Sequence, residues 1–313
     1  MYENGKITRW VNEVRARINV SAQRAQPSER ERHLLDVPND YYAMWLDPRM
    51  VYSCARFENG DEDLATAQLK KIDHVLSRIG LQPGHRLLDI DCGWGALVIR
   101  AAEKFGARCV GITLSKNQFD WATECVKAAG LMDSVEIRLQ AYPEVEGRFD
   151  RVTSLGMFEY EGRSDLAEYI AALQERLETD GVLISHGIMS SGPGGGGPTI
   201  DDTAFSSRYV FPDDELPDLG YALTAMREGG LEVSCIENLR QHCVRTMHLW
   251  EANFRAKEAA LRQLVDERSF QTWSRYLRDW AKAFEHDEAS IYEIVGRKAG
   301  TRASALPWPA CTS

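Results

Sequence analysis

Several absences bound this sequence. No apolar run approaches the roughly 20 residues that a membrane-crossing helix needs, so no transmembrane segment is expected. The first residues carry Lys6, Arg9 and Glu13 where a signal peptide would have its apolar core, so no secretion leader is expected either. The 7 cysteines (Cys54, Cys92, Cys109, Cys125, Cys235, Cys243 and Cys311) are odd in number, scattered and never spaced C-x-x-C. That distribution argues against a disulfide framework and against a zinc site; a reducing cytoplasm is the expected location and no metal is expected. Positive charge is in deficit, with 37 Lys and Arg against 47 Asp and Glu, a net charge of -10. Such a balance speaks against a nucleic-acid partner and leaves peripheral membrane contact at most. Internal repeats are missing, as are the phosphate-binding patterns G-x-G-x-x-G and G-x-x-x-x-G-K-[ST].

What is present fits a globular chain. An apolar content of 44% and a charged content of 27% are ordinary, and 313 residues can bury a sizeable core in one large α/β domain with an elaborated cap. The most telling stretch runs from Arg86 to Gly95. An apolar run ends in Asp89, a small-residue turn follows, and apolar-periodic residues resume at 96–105. That reads as strand, tight glycine-bearing loop and helix, with the loop free to approach a ligand backbone-first. Asp89, Gly93 and Gly95 form D-x-x-x-G-x-G, which suits an adenosyl ligand without a phosphate, S-adenosylmethionine (SAM) being the first candidate.

Strands and helices alternate from there. Strands are expected at 86–90, 109–112, 135–139, 150–156, 181–186, 231–236 and 291–298, and helices at 96–105, 116–129, 165–177, 246–265 and 270–284. This predicts a doubly wound, mostly parallel seven-stranded α/β sheet with its ligand at the carboxyl ends of the strands, and a helical cap. Ahead of the first strand, Leu64, Leu69, Ile72, Val75, Leu76 and Ile79 have helical spacing, and 40–57 is rich in aromatics (Tyr41, Tyr42, Trp45, Tyr52, Phe57). Residues 190–198 hold five glycines and two prolines and read as a lid or hinge loop. The expected organisation is an N-terminal helical or cap segment, 1–38; a main domain, 39–298, with a substrate-cap insertion at about 190–230; and a loose tail, 299–313.

Five motifs, in order, resemble those of the cyclopropane fatty acid synthase family, which includes the mycolic acid cyclopropane synthases. They are the aromatic segment 39–57; the loop 88–95; 111–118 with Thr113, Leu114, Ser115 and Gln118; 154–159 ending in Glu159; and 185–188 with His186 and Ile188, followed by 209–212 with Tyr209. The resemblance spans about 36 to 297, and in extent the chain is similar to the compact, mycolic-type members. It implies a class I SAM-dependent methyltransferase fold. It also implies that Asp89, Gly93 and Gly95 shape the pocket for methionine and ribose, that Tyr52 and Ser53 reach the methionine carboxylate, and that Thr113, Leu114, Ser115 and Gln118 lie along ribose and adenine. Cys54, Glu159, His186 and Ile188 match positions that hold a bicarbonate ion in the synthases, making bicarbonate the second expected cofactor. The substrate pocket would be lined by Tyr42, Trp45, Phe158 and Tyr209. Expected partners are an unsaturated lipid or small-molecule substrate and a second copy of the chain. Taken singly, the same residues have plainer readings: Cys54 a small buried hydrophobe, Glu159 a helix-start carboxylate, His186 a structural strand-end residue, Trp45 and Tyr209 core or rim aromatics.

Four positions depart from the family pattern. Asp91 replaces the first loop glycine, Ala141 an aspartate that bonds the adenine amino group, Tyr160 a histidine, and Cys243 a tyrosine that helps hold bicarbonate. Three readings follow: methylation of an alkene on an acyl chain, giving a cyclopropane or a methyl branch; C- or N-methylation of a soluble metabolite; and a degenerate, non-catalytic SAM-fold protein.

Overall fold

The computed structural model describes residues 37–160, 162–192, 195 and 216–300. The expected N-terminal helical or cap segment as far as residue 36, the 209–212 motif with Tyr209, most of the glycine-rich stretch and the tail from 301 lie outside the described residues.

Seven strands form one sheet: β1 (Arg86–Ile90), β2 (Arg108–Thr113), β3 (Val135–Leu139), β4 (Phe149–Leu155), β5 (Leu177–Ser190), β6 (Leu231–Asn238) and β7 (Ala289–Lys298). Their spatial order is β3-β2-β1-β4-β5-β7-β6. Pairing is parallel from β3 through β5, and β7 runs antiparallel between β5 and β6. The chain reverses its strand order beside β1, where an open α/β sheet forms its ligand crevice.

Nine helices are described: α1 (Asn39–Ala43), α2 (Leu64–Arg78), α3 (Ala96–Phe105), α4 (Lys116–Ala128), α5 (Gly162–Glu175), α6 (Leu219–Glu228), α7 (Arg240–Ala256), α8 (Glu258–Leu264) and α9 (Glu267–Glu285). Side-chain caps start four of them. Asp63, Ser115, Asp218 and Asp266 accept from the backbone N–H groups of Thr66, Gln118, Tyr221 and Ser269. Several elements differ from expectation: β5, expected at 181–186, runs Leu177–Ser190, the last helix, expected at 270–284, runs Glu267–Glu285, and three further differences have a local cause. The single helix expected at 246–265 is two, because the backbone leaves helical geometry at Lys257 (φ -113°). The helix expected at 165–177 starts at Gly162 and stops at Glu175, because Leu177 already pairs with Phe149 in the sheet. Inside the expected 190–230 insertion lies α6, whose buried face of Ala222, Ala225 and Met226 is too weakly apolar to stand out in sequence.

Three apolar clusters hold the layers. One packs α2 and α3 on one face of the sheet (Ile72, Val75, Leu76, Leu87, Val98), and one packs α5 and α6 on the other (Leu88, Val152, Leu166, Ile170, Met226). The third is the helical cap, where Tyr41, Trp45, Trp250, Phe254, Trp273, Trp280 and Phe284 join α1, α7 and α9. Each such side chain contributes about 1.5–3 kcal/mol by leaving water. The cap sits over the carboxyl edge of the sheet through Trp94 of the β1–α3 loop, which belongs to the same cluster.

Candidate active site

The cleft is built around the β1–α3 turn. Asp89, next to last in β1, stands opposite Thr153 of β4 and Gly111 of β2, and its Oδ1 accepts from Thr153 Oγ1 at 2.6 Å. Burial pushes the Asp89 carboxyl up to about 7, and the neighbouring Asp91 reinforces the shift. Asp91 has the left-handed backbone expected where the family has glycine (φ 57°), which aspartate tolerates better than most residues. Its side chain is exposed, yet desolvation by the surrounding protein raises its carboxyl to about 6. Gly93 and Gly95 also have positive φ (54° and 87°). Gly111 is bare because Cys92 lies against it; a Cβ there would stand 2.9 Å from the Cys92 side chain.

On the next strand, Thr113 Oγ1 donates to Gln118 Oε1 at 2.6 Å, Ser115 caps α4, and Leu114 is half exposed. Ala141 opens the short turn after β3 without a side-chain hydrogen bond. Asn39 clamps both loops to the cap: its Oδ1 accepts from Trp94 Nε1 at 2.8 Å and its Nδ2 donates to the carbonyl of Asn117 at 3.1 Å. Sequence reasoning passed over Asn39, since a polar residue at a helix start reads as an ordinary cap.

Tyr52 and Ser53 arrive from the segment before α2. Tyr52 stacks among Tyr42 (5.8 Å), Trp45 (5.6 Å) and Trp250 (5.2 Å), and Tyr42 in turn meets Trp94 at 4.8 Å. Two residues of α2 that sequence reasoning also passed over hold Ser53. Gln68 Nε2 donates to its carbonyl at 2.8 Å and Lys71 Nζ to its hydroxyl at 2.7 Å. Both are buried, and both interrupt the apolar stripe of α2 at core-facing spacing, which was the available signal.

Glu159 stands on a single 3-10 turn after β4, 8% exposed, with its Oε2 accepting from the Ile188 amide at 3.4 Å. Burial raises its carboxyl to about 7, and Asp91 adds to the shift. Cys243 of α7 faces it; its thiol is pushed well up by burial and by its hydrogen bond with Cys54. Cys54 also donates to the carbonyl of Ala55 at 3.4 Å. Tyr276 of α9 completes this group, hydrogen-bonded to Tyr52 and feeling the charge of Glu159. His242, beside Cys243, turns away and accepts from the Phe57 amide at 3.2 Å.

His186 is set differently. It is 1% exposed, and its Nε2 meets Glu293 Oε2 of β7 at 2.8 Å. A carboxylate only accepts, so Nε2 carries the proton and Nδ1 is left as a buried acceptor with no partner among the described residues. Burial lowers the His186 pKa and keeps the ring neutral. Glu293 also pairs with His74 (3.2 Å) and Arg78 (3.2 Å), and Arg78 bridges on to Glu237 (3.2 Å). His74, Glu237 and Glu293 have metal-ligand chemistry, but Arg78 already pairs with both carboxylates and Arg56 with Glu237.

Of the four aromatics expected to line one pocket, the three described residues fall in two different clusters. Tyr42 and Trp45 belong to the cap cluster, and Trp45 is fully buried among Tyr42, Tyr52, Trp250 and Trp273. Phe158 lies in the α5–α6 cluster, across the bare Gly187, where a Cβ would stand 2.7 Å from the ring. Tyr209 is outside the described residues.

A sheet of this order, with a glycine-bearing β1 turn ending in a buried acid, defines a class I SAM-dependent methyltransferase. The family model of mycolic acid cyclopropane synthetase matches residues 22–294. A probable fatty acid methyltransferase of Pseudomonas putida is 37% identical over 297 residues, covering 90% of this chain and 75% of that protein. Cyclopropane mycolic acid synthase 1 of Mycobacterium tuberculosis is 33% identical over 271 residues, 84% of this chain and 94% of its own length. The crystal structure of mycolic acid cyclopropane synthase CmaA1 in complex with SAH and CTAB superposes with a TM-score of 0.78 at 30% identity, covering 84% of this chain and 95% of the other. The chain belongs to the mycolic acid cyclopropane synthetase family and is a SAM-dependent methyltransferase.

Proposed function

We propose that this enzyme methylates a carbon–carbon double bond of an acyl chain or a related unsaturated substrate, giving a cyclopropane or a methyl-branched product. The observation that carries the reading is the buried pair of Glu159, its carboxyl raised to about 7, and His186, its Nδ1 without a partner, inside a family whose relatives act on fatty and mycolic acids. SAM supplies an electrophilic methyl group on a sulfonium. The loop residues Asp89, Gly93 and Gly95, together with Thr113, Leu114, Ser115 and Gln118, are the ones we assign to hold it, with Tyr52 and Ser53 at its amino-acid end.

An alkene that takes up a methyl cation becomes a carbocation, which water would quench. The aromatic wall of Tyr42, Tyr52, Trp94, Trp250 and Trp273 excludes water, and ring faces attract positive charge. Bicarbonate fits the donor set. A protonated Glu159, held by the Ile188 amide, offers a hydrogen, while the neutral His186 offers a lone pair at Nδ1 to the ion's own hydroxyl. A bound bicarbonate would supply a base for ring closure, and Cys54 would adjoin it. We assign Phe158 to fixing the Glu159 turn, where it packs over Gly187, and Tyr42 to the wall beside Trp94.

Cys243, a weak hydrogen-bond donor where the family has a phenol, favours the second reading, methylation of a nucleophilic metabolite that needs no base of this kind. The test is incubation with methyl-labelled SAM and either dispersed monounsaturated phospholipid or a panel of soluble amines. Label in the hydrocarbon chain, resolved as ring or branch by NMR, is expected; label only in an amine would replace the acyl reading.

A further inference from the structure

Among the described residues, Lys71 is the one buried lysine, and the assignments above leave it without a task. It is 3% exposed, and among the described residues its Nζ hydrogen-bonds only to Ser53 Oγ, at 2.7 Å. No described carboxylate lies within ion-pair distance of it (4.0 Å). Cys54, Asp47, Asp89 and Glu293 act on it at longer range, and each is engaged elsewhere, Cys54 with the Ala55 carbonyl and Cys243. Asp47 accepts from the amides of Val51 and Arg49, Asp89 from Thr153, and Glu293 from His186, His74 and Arg78. Burying an ammonium without a close counter-ion is costly, and such a group is ordinarily kept to meet an anion.

Ser53 shows where that anion belongs. An ammonium only donates, so Ser53 Oγ is the acceptor and the hydroxyl's own proton must point away from Lys71. Ser53 is half-buried, and among the described residues its hydroxyl proton has no acceptor. Gln68 fixes its backbone from the same helix. The acids around the cleft, Asp89, Asp91 and Glu159, offer a carboxylate no positive charge. We propose that Lys71 is a positioning residue for the carboxylate of SAM: it locks Ser53 as a hydroxyl donor and places a positive charge behind it. The inference rests on the SAM-binding reading of Ser53 and deepens it.

The experiment is calorimetric titration of the full chain, wild type and Lys71→Met, with SAM and with decarboxylated SAM, which lacks the carboxylate alone. Lys71→Met is expected to weaken SAM about tenfold or more and to leave decarboxylated SAM within about twofold. Ser53→Ala should weaken SAM to a similar degree and add little on top of Lys71→Met. The ligand-free melting temperature of Lys71→Met should hold or rise, since an unpaired buried charge is removed. Lys71→Gln serves in its place if the Met variant does not fold. Equal loss for both ligands, unchanged SAM affinity, additive losses with Ser53→Ala, or a fallen melting temperature would each overturn the proposal. If SAM affinity holds while bicarbonate dependence of turnover disappears, the anion is the small oxyanion and the proposal fails. Wild type that binds neither ligand would bring down the SAM reading of Ser53 itself.

Discussion

Replacing Glu159 with glutamine separates what this carboxyl costs the fold from what it gives the chemistry. In the folded protein its pKa stands at about 7 against the ordinary 4.5, because burial disfavours the charged form. Below the ordinary value the carboxyl is protonated in both folded and unfolded chains, and no penalty exists. As pH rises from 4.5 to 7 the unfolded chain loses the proton while the fold retains it, so stability falls; above 7 the deficit is constant. At pH 8 it amounts to about 3 kcal/mol, and near pH 5 to about 1 kcal/mol. Glutamine is a neutral isostere whose carbonyl can still accept from the Ile188 amide. Glu159→Gln should therefore melt higher than wild type at pH 8 by on the order of 5 °C, with the gain shrinking toward pH 5. Methyl transfer should be abolished while SAM affinity stays within a few-fold. Melting curves at both pH values, calorimetry and a labelled-methyl assay read all three. A variant that melts lower at pH 8, or one that turns over, would refute the reasoning.

Glu293→Gln leaves His186, His74 and Arg78 short of their shared carboxylate, and a loss of about 3–5 kcal/mol is expected in denaturant melts. Because its partners hold the Glu293 carboxyl well below the ordinary range, that contribution is present at neutral pH and is lost as pH falls below about 4.5. Gly187→Ala drives a methyl into the Phe158 ring and shifts the Glu159 turn; turnover should fall more than tenfold with a stability loss of about 1–3 kcal/mol. Asp91→Gly removes an acid that faces Glu159 and a left-handed backbone imposed on a non-glycine residue; calorimetry should show SAM bound several-fold tighter. Weaker binding would instead mean that Asp91 attracts the ligand's cationic end.

The bounds of β1, α3 and β3 match the expected 86–90, 96–105 and 135–139 to the residue, because local signals mark them: the acid and glycines after β1, and Gly106, in left-handed geometry, closing α3. The break at Lys257 has no such mark in sequence, since Ala256 and Glu258 both favour helix. Site residues divide in the same way. Asp89, Gly93 and Gly95 belong to one short motif and Thr113 and Ser115 to another, and so are readable along the chain. Glu293 lies 107 residues from His186 and meets it only through the antiparallel register of β5 and β7, which nothing local in the sequence states. Trp45 stood out as an aromatic of a suggestive segment, but whether such a ring lines a cavity or fills a core depends on Trp250 and Trp273, which arrive from other helices. Lys71 and Gln68 were visible as polar breaks in an apolar stripe, yet only the fold shows that Ser53 is what both of them hold.

The place of β7 between β5 and β6 has a consequence for synthesis. The strand that supplies Glu293 is the last of the seven to leave the ribosome, and it must slide between two strands made earlier. Until it docks, β5 is an unpaired edge, the His186 ring has no carboxylate to set its tautomer, and His74 and Arg78 have lost their shared anchor. The adenosyl cleft at β1 and β2 can take shape early, whereas the groups proposed to manage the carbocation are ordered last. A chain stopped before residue 289 would thus hold a methyl donor without the means to direct it, and insertion of the final strand ties activity to completion of the polypeptide.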